Sequence, residues 1–156
     1  IQIIKGVSEV LLKIKKAGFR MFMHTNQSGI SRGYYDWEDV YACNRRMLKL
    51  YKLNADFWDG ICIAPESPDG HELGYRKPSQ KYELEMLQKY NLEPSLCWMI
   101  GDKWIDAETG LKSKMNAALV RTGKQISTET EKLASSQNVP ICEDLSSFCK
   151  VHLFQS

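Results

Sequence analysis

Apolar and polar residues follow two different spacings along this chain, and the spacing changes from one stretch to the next. Apolar residues three or four positions apart predict amphipathic helices, whereas short continuous apolar runs predict buried strands. The predicted helices cover residues 7–17, 36–53, 79–90, 103–115, 127–136 and 144–153, and the predicted strands cover residues 19–23, 57–63, 96–100 and 117–120. Strands that alternate with helices in this way are typical of βαβ units. The pattern therefore predicts an α/β fold, a three-layer α/β/α sandwich around a parallel, Rossmann-like sheet.

The predicted strand at 96–100 ends at a pair of carboxylates. Its apolar run predicts a strand buried on both faces, and Asp102 and Asp106 follow it where the next helix begins. Ligands of open α/β sheets bind at this carboxyl edge. Asp102 there either binds a hard cation such as Mg²⁺, which takes oxygen ligands, or caps the helix that follows. This stretch alone leaves both interpretations open.

Further polar residues follow other predicted strands. Thr25, Asn26, Gln27 and Ser28 come after the strand at 19–23, and Arg76 and Lys77 lie in the loop at 64–78. Taken singly, the first group fits an ordinary polar turn and the second a solvated basic pair. Right-handed crossovers, however, bring the strand ends to one edge of the sheet. Hydroxyls, amides and cations that meet a carboxylate at one edge favour a phosphoryl-binding site.

Composition and charge exclude several classes of protein. The chain has 156 residues, 43% of them hydrophobic and 26% charged, which suits one globular domain with a sizeable core. A net charge of +2 gives no reason to expect nucleic acid or a membrane surface as a partner. The five cysteines are odd in number and form no Cys-x-x-Cys motif. Reduced thiols in a cytoplasmic protein are therefore expected.

Three motifs in a fixed order carry a resemblance to a known family. They are residues 25–33 (Thr-Asn-Gln-Ser-Gly-Ile-Ser-Arg-Gly), residues 76–78 (Arg-Lys-Pro) and residues 101–106 (Gly-Asp-Lys-Trp-Ile-Asp). The chain resembles the haloacid dehalogenase (HAD) superfamily of phosphatases from about Gly6 to Gly123. Within that superfamily it is similar to the capless branch of the D-glycero-D-manno-heptose 1,7-bisphosphate and histidinol-phosphate phosphatases.

The resemblance implies a reaction and a role for each motif residue. It implies Mg²⁺-dependent hydrolysis of a small phosphate monoester, a heptose bisphosphate in the first place, through an aspartyl-phosphate intermediate. Thr25 and Lys77 are the implied catalytic residues, and Asp102 is the implied Mg²⁺ ligand, which Asp106 supports without binding the metal directly. The implied substrate contacts are Asn26, Gln27, Ser28, Arg76 and Lys103.

The chain departs from the family pattern at the nucleophile. The family carries an Asp-x-Asp motif on a first strand that precedes its first long helix, and no Asp-x-Asp occurs in these 156 residues. The chain begins at Ile1, where that helix begins in the family. We therefore expect a single HAD-like domain over residues 1–156 that lacks the first strand, which a further N-terminal segment would supply. A catalytically inactive binding protein is the alternative.

A second departure concerns zinc. Many relatives carry Cys-x-His and Cys-x-Cys in the loop before Arg-Lys-Pro. Cys62 matches the first of these positions, but Ala64, Leu73 and Tyr75 stand at the others, with His71 displaced. One cysteine and one displaced histidine do not make a tetrahedral site. The sequence therefore predicts that no zinc is bound.

Polynucleotide 3′-phosphatase domains share a similar Thr-Asn-Gln and Arg-Lys-Pro pattern and form a third alternative. The near-neutral charge and the absence of a basic, aromatic-rich stripe argue against it. We therefore expect a small phosphorylated substrate as the partner, no nucleic acid, no membrane and a monomer or weak dimer.

Overall fold

The structure, a computed structural model, describes residues 2–70 and 74–154. The chain divides into two units, residues 1–76 and residues 77–156, and each contains its own parallel sheet. Within the described ranges, no helix combines the length and the apolar character that a membrane span requires. The organisation as a single domain stays a prediction.

The described residues of the first unit form two helices and two strands. They are α1 (Val7–Lys16), β1 (Phe22–Asn26), α2 (Trp37–Leu50) and β2 (Gly60–Ala64). The strands pair in parallel from Phe22 opposite Gly60 to Asn26 opposite Ala64. Buried residues of both helices, of β2 and of the segment between α2 and β2 form its core: Leu11, Ile14, Val40, Tyr51, Leu53, Phe57, Cys62 and Ala64.

Strand β1 begins three residues later than the sequence predicts. The N–H of Met21 donates to the Asp59 carboxylate at 2.7 Å, so Met21 precedes the strand-to-strand ladder. At the other end, the N–H of Gln27 donates to the carbonyl of Ala64 at 2.7 Å and extends the pairing. Thr25 and Asn26 consequently lie on the strand itself rather than in the loop after it. The rigid ladder thus positions two of the predicted site residues.

In the second unit, over residues 77–154, helices alternate with three strands. Its elements are α3 (Lys81–Lys89), a 3₁₀ turn (Pro94–Leu96), β3 (Trp98–Gly101), α4 (Trp104–Lys112), β4 (Asn116–Val120), α5 (Thr128–Ser136), β5 (Ile141–Cys142), α6 (Leu145–Phe148) and a π-helix (Cys149–Leu153). The strand order is β3-β4-β5. Strand β4 is central in this sheet, and Ala118 and Leu119 on it are fully buried. Its core cluster comprises Ala107, Ala117, Leu119, Ala134 and Val139.

The prediction of a strand at 96–100 buried on both faces is wrong in extent and in burial. Pro94 starts a 3₁₀ turn, and the N–H of Cys97 donates to its carbonyl at 3.0 Å instead of joining the ladder. Leu96 in that turn is 73% exposed. All four residues of β3 are only half-buried, and the strand pairs with β4 alone among the described strands. The apolar run therefore marks the strand but overstates its burial.

The C-terminal segment also differs from the prediction of one helix at 144–153. Asp144 caps the short α6 by accepting from the N–H of Ser147 at 2.7 Å, but after Phe148 the backbone continues as a π-helix. Phe148 is fully buried, with the Trp98 ring edge-on at 5.0 Å. Strand β5 was not predicted, because its two residues are too few to form a pattern.

Candidate active site

The loop after β1 is fixed by a series of side-chain hydrogen bonds. Nε2 of Gln27 donates to Oγ1 of Thr25 at 2.9 Å, and the hydroxyl of Tyr35 donates to Oε1 of Gln27 at 2.7 Å. The carbonyl of Ser28 accepts from the N–H of Arg32 at 3.1 Å, which closes a tight turn. The Thr25 hydroxyl is thus held near the end of a strand and is half-buried.

Gly29 makes room for the Tyr35 ring. A Cβ atom at this position would lie 2.1 Å from the ring, so any larger residue would displace it. Gly33, farther along the same loop, has a φ of 70°, which lies in the left-handed region that glycine adopts without strain. These two glycines of the first motif therefore serve the backbone and the packing of the loop.

Arg76 is anchored next to the carboxyl end of β2. Its Nη1 donates to the carbonyl of Glu66 at 3.2 Å, and the N–H of Tyr75 donates to Oε1 of the same residue at 2.9 Å. Nε2 of His24, on β1, lies 2.8 Å from the carbonyl of Tyr75. His24 thus lies in the middle of β1 and contacts the backbone of Tyr75, the residue just before the second motif.

Lys77 and Asp106 form a buried ion pair in the second unit. Nζ lies 2.6 Å from Oδ1, and the two side chains are only 9% and 8% exposed. Asp106 sits in the first turn of α4, where its other oxygen accepts from the N–H of Lys103 at 3.1 Å. A Cβ atom on Gly101 would lie 2.1 Å from that oxygen, so the glycine lets the carboxylate approach the end of β3.

Asp102 is held by the loop that follows β4. Its Oδ2 accepts from the N–H of Lys124 at 2.6 Å, and a Cβ atom on Gly123 would lie 2.2 Å from the same oxygen. The interpretation of Asp102 as the cap of α4 is wrong, because the residue at the cap position is Lys103. Within residues 2–70 and 74–154, no hydrogen bond occupies Oδ1 of Asp102. That oxygen remains available for another ligand.

The residues around Asp102 fit a magnesium ion. A carboxylate oxygen is the kind of ligand that this hard cation prefers, and Mg²⁺ is usually bound through one or two carboxylates, with waters and substrate phosphate completing its coordination. The described ranges contain no cluster of three or more His, Cys, Asp or Glu side chains in a metal-binding arrangement. A single carboxylate at Asp102 therefore fits a magnesium site whose remaining ligands would be substrate and water.

Cys97 and Cys142 lack the environment of a nucleophile. All five are free thiols. Burial, and then the charge of Glu93, raises the pKa of the Cys97 thiol, and burial followed by the charges of Asp144 and Glu143 raises that of Cys142. Both therefore stay protonated and unreactive at neutral pH. The predicted absence of zinc stays a prediction, and His71 and Leu73 lie outside the described residues.

Four positions in these clusters were not identified from the sequence. They are Tyr35, Glu66, Gly123 and Lys124, of which Lys124 acts through its main-chain N–H. Main-chain donors carry no residue signature, so no sequence pattern points to Lys124. Tyr35 lies two residues after the first motif ends at Gly33, but an aromatic residue in a loop has no specific spacing to mark it.

Comparisons with known proteins give the family. The HAD-hydrolase-like family model matches residues 74–148. The chain is 35% identical over 142 residues to the D-glycero-β-D-manno-heptose-1,7-bisphosphate 7-phosphatase of Photorhabdus laumondii, covering 86% of this chain and 75% of the relative. It is 35% identical over 145 residues to the phosphatase of the same name from Haemophilus ducreyi, covering 85% and 77%.

A solved structure agrees in fold. The D,D-heptose 1,7-bisphosphate phosphatase from B. bronchiseptica, crystallised with magnesium and phosphate, superposes with a TM-score of 0.80 at 22% identity, over 96% of this chain and 83% of that one. The α/β fold with parallel strands of HAD type is therefore confirmed.

The protein belongs to the class of HAD-type phosphoric monoester hydrolases. Within this class, the chain belongs to the family of the D-glycero-β-D-manno-heptose-1,7-bisphosphate 7-phosphatases. The resemblance drawn from the three motifs is thus confirmed.

Proposed function

We propose that the protein is a Mg²⁺-dependent phosphatase that acts on a small sugar phosphate, a heptose 1,7-bisphosphate in the first place. The observation that carries the proposal is the polar cluster at the carboxyl end of β3. There a buried lysine is held by one carboxylate, Asp106, while a second carboxylate, Asp102, keeps one oxygen available. The names of the relatives support the choice of substrate.

Each motif contributes a chemically distinct group to phosphoryl binding. The Lys77 ammonium supplies a compact positive charge that stabilises the negative oxygens of the phosphoryl group. The Thr25 hydroxyl donates a hydrogen bond to one of these oxygens. Further substrate contacts come from Asn26, Gln27, Ser28, Arg76 and Lys103. That Thr25, Lys77 and Asp102 share one pocket stays a prediction.

Asp102 would hold the metal, and Asp106 would keep its surroundings in place. Mg²⁺, when bound, supplies positive charge that neutralises phosphoryl oxygens as the bond to the leaving group breaks. The Lys124 N–H occupies Oδ2, which leaves the other oxygen of Asp102 for the metal. Asp106 fixes Lys77 and the backbone of Lys103, the residue next to the metal ligand. This is a supporting role, without direct contact to the metal.

The nucleophile in this proposal is an aspartate supplied from outside residues 1–156. Its carboxylate attacks phosphorus, the bond from phosphorus to the sugar oxygen breaks, and that oxygen takes a proton from an acid on the same segment. Water then attacks the aspartyl-phosphate and releases inorganic phosphate. The absence of Asp-x-Asp from the sequence supports an outside source.

A cytoplasmic location and a small-molecule partner belong to the same proposal. The five free cysteines support a reducing compartment. The net charge of +2 does not favour a nucleic acid substrate.

The test compares substrates on the purified full gene product. Phosphate release is measured with heptose 1,7-bisphosphate, histidinol phosphate and a 3′-phosphorylated oligonucleotide, each with Mg²⁺ and with a chelator. We expect the highest kcat/KM on the heptose bisphosphate and no release in chelator. A higher kcat/KM on the oligonucleotide would show that the assigned substrate is wrong. No phosphate release from any of the three substrates would contradict the proposal.

A further inference from the structure

Tyr35 and Thr25 are connected through the amide of Gln27. The Tyr35 hydroxyl donates to Oε1 at 2.7 Å, and Nε2 donates to the Thr25 hydroxyl oxygen at 2.9 Å. Tyr35 lies beyond the turn that follows β1, whereas Thr25 lies on the strand itself. The series therefore ties the far side of the loop to a residue proposed to bind the phosphoryl group.

We propose that Tyr35 is a positioning residue that aims the Thr25 hydroxyl at the phosphoryl group, acting through Gln27. This inference rests on the proposed function and extends it to a residue outside the three motifs. Tyr35 itself touches no reacting atom in this proposal. Its contribution is to fix which end of the Gln27 amide faces Thr25.

The direction of the hydrogen bonds explains the effect. An amide can present either its oxygen or its nitrogen to a neighbour. Because Tyr35 donates to Oε1, the nitrogen end of Gln27 is turned toward Thr25. The Thr25 oxygen then serves as an acceptor, and its own hydrogen is left to donate to a phosphoryl oxygen. With the amide reversed, Thr25 would donate to Gln27 and that hydrogen would be occupied.

The Tyr35 ring is itself held in place. It packs on Gly29 so closely that a Cβ atom there would lie 2.1 Å from a ring carbon and 2.7 Å from the hydroxyl oxygen. The ring therefore approaches the backbone at Gly29, where the missing side chain leaves room for it. Tyr34 offers a matched comparison, since it is adjacent, 75% exposed and without a side-chain hydrogen bond within the described ranges.

The experiment removes one hydroxyl at a time from the full gene product. Tyr35→Phe keeps the ring on Gly29 and deletes only the hydrogen bond, while Tyr34→Phe deletes the neighbouring hydroxyl. We expect Tyr35→Phe to lower kcat/KM for the sugar phosphate about five- to tenfold, the effect of one hydrogen bond. The same variant weakens binding of inorganic phosphate, measured by calorimetry, and leaves the melting temperature unchanged. We expect Tyr34→Phe to match the wild type in kcat/KM, in phosphate binding and in melting temperature.

A double-variant cycle separates positioning from a general structural role. In a Gln27→Met background the connection is already broken, so adding Tyr35→Phe costs nothing more in kcat/KM. If Tyr35→Phe equals Tyr34→Phe, or its effect is undiminished in the Gln27→Met background, the inference is overturned while the phosphatase assignment stands. If the wild type releases no phosphate, the proposed function fails, and the phosphate-binding measurements still decide for or against Tyr35.

Discussion

The Lys77 ammonium and the Asp106 carboxylate lie 2.6 Å apart with less than a tenth of either side chain exposed. A charge buried this deeply is stable only with its partner, because desolvation of an unpaired ion costs several kcal/mol. The second motif and the third motif are therefore joined by one interaction that serves the fold, and in our proposal it also places the cation that meets the substrate.

We expect Lys77→Met to destabilise the protein by about 3–5 kcal/mol, because it leaves the Asp106 carboxylate buried and unpaired. The double variant Lys77→Met, Asp106→Asn removes both charges, and we expect it to recover at least half of that loss. Neither variant regains phosphatase activity, since both lack the ammonium. Urea unfolding and phosphate release measure the two effects separately.

The pair of Lys112 and Glu108 on α4 is the control. It has the same 2.6 Å separation, but its side chains are 46% and 35% exposed. Breaking it with Lys112→Ala is expected to cost under about 1 kcal/mol. A Lys77→Met variant as stable as Lys112→Ala would contradict the importance of burial at Lys77.

We expect Gly123→Ala to weaken magnesium binding without unfolding the protein. The added methyl group would lie 2.2 Å from Oδ2 of Asp102, so the carboxylate must move from its hydrogen bond with the Lys124 N–H. Loss of such a supporting contact typically costs about 10- to 100-fold in metal affinity. The measurement is the Mg²⁺ concentration that gives half-maximal activity. Thr122, the exposed residue next to Gly123, provides the control. We expect Thr122→Ala to leave this Mg²⁺ concentration unchanged.

Leu119 and Leu96 test where the core of the second unit lies. Leu119 on the central strand β4 is fully buried, whereas Leu96 is 73% exposed. We expect Leu119→Ala to cost about 2–5 kcal/mol and Leu96→Ala to stay within about 0.5 kcal/mol. Equal effects of the two changes in urea unfolding would argue against β4 as the centre of this core.

Asp59 gives the first unit a stability that depends on pH. Burial by itself raises the pKa of Asp59, but hydrogen bonds from Lys15 and from the N–H of Met21, with the charges of Lys15 and Arg20, lower the pKa on balance below its usual value. A lowered pKa in the folded state stabilises above the unfolded pKa of about 4, and this contribution is lost as the pH falls through the folded value.

We therefore expect Asp59→Asn to be less stable than the wild type at about pH 7, with the difference shrinking as the pH falls to about 3. Urea unfolding at the two pH values measures it. Asp56 is exposed and forms no ion pair among the described residues, so Asp56→Asn is the comparison. A difference for Asp59→Asn that grows toward low pH would refute the sign of this argument.

The sequence predicts the order of helices and strands well, because their periodicity and turn residues are local signals. It misplaces β1 by three residues, since the pairing with Gly60–Ala64 and the bond from Met21 to Asp59 involve residues distant in the chain. It also overstates the burial of β3, because an apolar run records composition and not the number of neighbouring strands.

The candidate site, like the fold, could be predicted from the sequence only in part. The motif side chains are recognisable because phosphate and magnesium chemistry demands particular functional groups. The groups that hold those side chains in place cannot be recognised from the sequence. Tyr35 acts through its hydroxyl from the far side of a turn, and Lys124 acts through its main-chain N–H. The Asp106 carboxylate was expected to support the metal site, and its ion pair with Lys77 emerged only from the structure.

The central claim is that the protein hydrolyses a sugar phosphate with magnesium. The most direct measurement is phosphate release from D-glycero-β-D-manno-heptose 1,7-bisphosphate by the full gene product, with the wild type and Asp102→Asn compared at saturating Mg²⁺. We expect release that a chelator abolishes and added Mg²⁺ restores, and a kcat on the order of a hundredfold lower for Asp102→Asn. Release that is unaffected by the chelator, or an Asp102→Asn variant as active as the wild type, would contradict the account.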